Sequence, residues 1–223
     1  MGLLGLARLD TARVRRGSVA VLVCLIIWAR DIPDMSNPGL QELVGSTTAV
    51  VTVAVLAIAV KRRHRSVRDY FALYAAPWRD LLLGLAALLI VEVVFEITQL
   101  LFGIDSGSGA QAVEYGEAKL AGMLPALWFG TVIVAPVTEE LIFRGFLHRG
   151  WAASRLGVTS TILLTSALWA AVHQQYTAYG MFDTFVFGLV LGWIRQRSAS
   201  TTPGIILHAL NNLVAMVLVA IDV

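Results

Sequence analysis

Apolar residues in this chain come in long runs broken by short polar or basic segments. They do not form the one-sided stripes of a water-soluble helix. Seven runs are candidate membrane spans: about 18–29, 42–60, 81–103, 121–147, 159–176, 181–194 and 204–221. A helix needs roughly 20 predominantly apolar residues to cross the hydrocarbon of a bilayer. The first run approaches that length only by extending into its flank at 13–17. The pattern predicts an all-α, polytopic membrane protein of about seven transmembrane helices. The glycine- and serine-rich stretch 106–109 reads as a flexible outer loop. No internal repeat, low-complexity tract or separate soluble domain stands out. Residues 1–120 hold about three spans, and 121–223 hold the rest.

Composition agrees with the pattern. Of the 223 residues, 57% are hydrophobic and 14% charged, with a mean hydropathy of +0.75. A soluble domain has roughly 45–50% apolar and about 25% charged residues, so an ordinary cytosolic globule is excluded. The one cysteine, Cys24, lies in the first run, which excludes a disulfide framework and a cysteine metal cluster. No small-residue cleavage site follows that run, so a cleavable signal peptide is not expected.

The net charge of +2 hides an uneven distribution. Basic residues fall in four groups: Arg8, Arg13, Arg15 and Arg16; Lys61, Arg62, Arg63, His64, Arg65 and Arg68; Arg149 and Arg155; Arg195 and Arg197. Cytoplasmic loops carry an excess of Lys and Arg, and seven crossings put all four groups on that side. The N-terminus is then cytoplasmic, and Asp31, Asp34, Asp105, Glu114 and Glu117 fall outside. The expected location is the plasma membrane, with the lipid bilayer as partner. Basic residues spread this way speak of orientation in a membrane, and no nucleic-acid partner is expected.

Ionisable groups at membrane depth are costly and mark functional sites by default. Four groups qualify: Glu139, Glu140 and Arg144; His173; His208 with Asn211 and Asn212; and Glu92 with Glu96. Depth follows from a rise of 1.5 Å per residue. Glu139 lies about 16 Å above Gly150, His173 about 21 Å from Thr159, and His208 about 15 Å from Ser198. A carboxylate and two imidazoles thus reach similar levels, near the middle of a core about 30 Å thick, and a polar intramembrane cavity is expected there.

These residues carry a family resemblance. Glu139-Glu140-Leu-Ile-Phe-Arg144 resembles the EExxxR motif of the CPBP intramembrane proteases, which include the type II CAAX prenyl endopeptidases and the bacterial Abi proteins. Trp169-Ala-Ala-Val-His173 resembles the second motif, FxxxH, with Trp where Phe is usual. Phe185, Gly188 and Gly192 resemble the glycine-rich third segment, and His208-Ala-Leu-Asn-Asn212 the final HxxxN/B motif. The resemblance covers about 121–220. It makes 121–223 the catalytic helical core, and leaves 1–120 as spans without a recognised motif.

The chemistry also follows from the residues. Glu140 and Arg144 are four apart on a helix with Glu first, so they suit an ion pair. Glu139 is turned about 100° away and is left to act as a catalytic base on water. His173 is placed to orient that water or shuttle its proton, and His208 and Asn212 to donate hydrogen bonds to the developing oxyanion. The competing readings are structural: a buried ion-pair network for Glu139, Glu140 and Arg144, a core histidine satisfied by a carbonyl for His173, and interhelical hydrogen bonds for His208 and Asn212. Gly188 and Gly192 are read as close packing positions, and Glu92 and Glu96 as cavity-lining. His64 and His148 are read as solvated, and Asp183 as interfacial.

No HExxH zincin pair is present. No metal is preferred as cofactor; if zinc were bound, Glu139, His173 and His208 would be its three ligands, with water as the fourth. The expected function is therefore an intramembrane endopeptidase hydrolysing a peptide bond near the cytoplasmic side by glutamate-activated water. The alternative is a non-catalytic Abi or bacteriocin-immunity protein that acts by binding. A proton-coupled transporter ranks third, because paired broken-helix halves are not found. The Ala-, Gly-, Val- and Arg-rich chain looks bacterial, which makes the expected location the bacterial inner membrane. CAAX-prenylated proteins are not expected there, so the expected substrate is a short peptide or a membrane-protein tail.

Overall fold

The computed structural model describes residues 38–75 and 77–223. The run expected at 18–29, and with it Cys24 and the first basic group, lies outside the described residues.

The described chain is helical, with no strand among the described residues. Helix α1 (Pro38–Lys61) leads through a short α2 (Val67–Tyr70) to α3 (Trp78–Phe102). Then come α4 (Gly109–Leu120), the composite α5 (Leu124–Ala152), α6 (Gly157–Val172), α7 (Ala178–Ser198) and α8 (Thr202–Asp222). Four helical stretches are long and apolar enough to cross a membrane: Leu43–Lys61 within α1, together with α3, α5 and α8. With 16 residues α6 is shorter, while α7 is long enough but carries Asp183, Arg195 and Arg197.

The helix ends explain themselves locally. Gly103 closes α3 in the left-handed region at φ 61°, its N–H returning to Gln99 O. Thr177 opens α7 with its side chain accepting from the Gly180 N–H. The start of α8 is tied to the chain after α2, where Thr201 Oγ1 donates to Phe71 O at 2.7 Å.

The bundle centres on α7, which packs against α6 and α3, while α8 and α1 both lie against α5. Phe71, Leu88, Phe143, Leu147, Trp169, Phe187, Leu191 and Leu207 form the core between them. Large apolar side chains also cover the outside, as at Leu89, Ile90, Val93 and Leu100 on α3. An exposed apolar surface of this extent suits lipid.

Three sequence expectations are corrected. The run 159–176 is not one helix: α6 stops at Val172, and the chain turns through His173 to Thr177, whose N–H bonds to Ser106 O. The segment 106–109 is accordingly held rather than loose, with the Gly107 N–H on Asp105 Oδ1 and α4 starting at Gly109. His148 is buried inside α5, not solvated.

Candidate active site

Helix α5 is the backbone of the site, and it is not a regular α-helix. Two π-helical segments, Gly130–Val134 and Leu141–Leu147, flank the turn Ala135–Glu140 that carries both glutamates. Such π turns are rare and collect at functional sites. The first has a local cause. The Ala135 N–H bonds five residues back to Gly130 O. The next residue, Pro136, has no N–H to return to Thr131. Asn212 of α8 fills that place, its Nδ2 donating to Thr131 O at 2.8 Å.

The two glutamates part company. Glu140 and Arg144 are fully buried and 2.7 Å apart, Nη1 to Oε1. Arg144 Nη2 also donates to Gly188 O at 3.2 Å, and its guanidinium lies 4.6 Å from the Trp169 ring centroid. The π segment is held from α7 as well, where Arg195 Nε donates to Arg144 O at 3.0 Å. His208 turns Nδ1 towards the same Glu140 oxygen, 3.4 Å away. Two backbones approach this pair closely. A Cβ on Gly204 would stand 2.8 Å from Glu140 Oε2, and one on Gly188 3.0 Å from Arg144 Nη2.

Glu139 instead faces a cleft of about 390 Å³, lined also by His173, His208, Asn211 and Asn212. Its Oε2 accepts a hydrogen bond from Trp169 Nε1 at 2.6 Å. His173, just past the end of α6, sets Nδ1 at 2.8 Å from Trp169 O. That carbonyl can only accept, so Nδ1 carries a proton, and in the neutral tautomer this contact selects Nε2 is the acceptor nitrogen. The Trp169 ring packs edge-on against both imidazoles, with centroids 5.1 Å from His173 and 5.2 Å from His208.

Glu139, His173 and His208 are the three residues named above for zinc. Among the described residues no three His, Cys, Asp or Glu side chains are arranged to hold a metal ion. The polar partners of these three residues are instead an indole, a backbone carbonyl and a buried glutamate.

The cleft reaches further than the motif residues. Glu92, Glu96 and Gln99 of α3 line it, as do Gln111 and Glu114 of α4, Tyr176, and Asp183 of α7. Asp183 thus belongs to the cleft wall rather than to an interface. Gln111 Nε2 donates to the Tyr176 hydroxyl at 2.5 Å. Burial pushes the Tyr176 hydroxyl above its ordinary pKa. Burial likewise raises the Glu114 carboxyl, and the nearby Glu117 charge adds to it. The α4 contribution had no signal in hydropathy. The irregularity of α5 had one, in Pro136 between Gly130 and Gly145.

A helical bundle with apolar outer faces thus brings two imidazoles together with several carboxylates and amides in one cleft. Residues 121–214 match the family model described as type II CAAX prenyl endopeptidase Rce1-like. It is the family that the four motifs resemble. No curated protein and no solved structure matches the chain.

Proposed function

We propose that the protein is an intramembrane endopeptidase in which Glu139 activates water against a peptide carbonyl. The observation that carries the reading is the convergence of Glu139, His173, His208 and Asn212, from three segments, on one cleft. Glu140 and Arg144 are buried beside it without lining it.

With Oε2 held by Trp169, Glu139 Oε1 takes the proton as the water oxygen attacks the carbonyl carbon. His173 Nε2 accepts from the other water hydrogen and fixes its direction. Negative charge collects on the former carbonyl oxygen, where the remaining Asn212 amide proton donates to it, as does His208 Nε2 of a ring protonated on both nitrogens, with Nδ1 turned to Glu140. Collapse breaks the C–N bond, and the proton held by Glu139 passes to the departing nitrogen. Acid, base and hydrogen-bond donors are all side chains, so the route passes through no metal.

In this reading the cleft lies inside the bilayer, within seven spans whose N-terminus is cytoplasmic. The location is the bacterial plasma membrane, and the substrate is a peptide or a membrane-protein tail reaching the cleft from the cytoplasmic leaflet. The test uses purified protein in detergent with two quenched fluorescent peptides, one ending in a farnesylated CAAX sequence and one unprenylated. Wild type is expected to cleave the unprenylated peptide, and Glu139→Gln to cleave neither. A Glu139→Gln variant as active as wild type overturns the reading. If wild type cleaves neither peptide, and no membrane-associated peptide differs between wild-type and Glu139→Ala strains, action by binding replaces it.

A further inference from the structure

We propose that Trp169 is a positioning residue for the Glu139 carboxylate, through its indole N–H. The inference rests on Glu139 acting as the base and concerns what aims it. The donor is Nε1, 2.6 Å from Glu139 Oε2. Phenylalanine, usual at this place of the motif, has no such donor. The chain therefore carries a contact that its motif does not ask for.

The indole is well held for this work. Trp169 is 3% exposed, and its ring is fixed on several sides. The Arg144 guanidinium lies 4.6 Å from its centroid, Phe187 packs at 5.7 Å, and both imidazoles meet it edge-on. Its own carbonyl takes His173 Nδ1. One residue thus fixes the carboxylate with its side chain and the imidazole with its backbone.

A glutamate has three rotatable side-chain bonds, and an untethered one spends much of its time turned away from the attacking water. Tethering Oε2 leaves Oε1 as the proton acceptor and sets its direction. A hydrogen bond to a charged group is among the stronger kinds, and loss of alignment alone can cost about a hundredfold in rate. The tether acts on kcat, because it orders the base and not the substrate.

The test uses the full chain in detergent with nitrogen-15 in its indole rings. Trp169→Phe identifies the Trp169 N–H resonance. Glu139→Ala is expected to move that resonance upfield while the other tryptophans stay in place. In parallel, Trp169 is replaced site-specifically by benzothienylalanine, which keeps the bicyclic shape and exchanges N–H for sulfur. On whichever quenched peptide the wild type cleaves, kcat is expected to fall between about tenfold and a hundredfold, with KM within about twofold. A Trp169 resonance unmoved by Glu139→Ala overturns the contact, whatever is cleaved. An unchanged kcat in the isosteric variant overturns the positioning role, even if Trp169→Phe misfolds. Activity retained by Glu139→Gln sinks the catalytic reading itself, an outcome distinct from both.

Discussion

Asn212 holds the carbonyl of Thr131 that Pro136 leaves open, with Nδ2 2.8 Å from the oxygen. The same side chain therefore braces the π turn before the glutamates, lines the cleft, and in the proposed mechanism donates its second amide proton there. Its two tasks are separable. Asn212→Leu should lower stability in detergent by about 1 kcal/mol, read as an earlier thermal transition. Pro136→Ala supplies an N–H that can reach Thr131 O, so in that background Asn212→Leu should cost less. Strictly additive losses would show that the bracing contact is not the coupling.

Glu140 does not line the cleft. It is fully buried and meets Arg144 at 2.7 Å and His208 at 3.4 Å. Removing one partner of a buried ion pair strands the other, at about 3–5 kcal/mol. Glu140→Gln should therefore reduce the folded fraction while turnover per folded molecule survives. Gly204→Ala should act on the same group from outside, since its Cβ would stand 2.8 Å from Oε2. Normal folding with lost turnover in Glu140→Gln would exchange the roles of the two glutamates.

The wall of the cleft formed by α4 should respond to pH through Glu114. Burial raises its folded-state pKa above the unfolded value, with Glu117 adding to the shift. A group raised in this way contributes stability that is full below its unfolded pKa and lost as pH rises through its folded one. Wild type should therefore lose stability relative to Glu114→Gln across that window as pH increases. Parallel thermal-shift curves for the two proteins would refute it.

Orientation is tested at the exposed basic turn around His64. A protease-cleavable tag inserted there should survive external protease in intact cells and be cut once the cells are opened. Cleavage from outside would invert the topology.

Much of the candidate site was legible from residue types and spacing. Glu139, His173, His208 and Asn212 stood out because a polar group in an apolar run is expensive, and their depths matched by counting helix rise. The Glu140–Arg144 contact follows from an i, i+4 spacing alone. Hydropathy marked the four stretches long and apolar enough to cross a membrane, because length and apolar content are local properties.

The sequence alone therefore determined a helical membrane chain, the residues that must avoid lipid, and the motifs shared with a protease family. Tertiary structure decided who meets whom. It ended α6 at Val172 instead of four residues later, and buried His148 where a solvated position was expected. It joined the Trp169 indole to Glu139 across thirty positions of sequence, and gave Asn212 to a carbonyl eighty-one positions away. Periodicity and hydropathy report what each segment carries. A hydrogen bond between helices also depends on their rotation and register, which only the packed bundle sets.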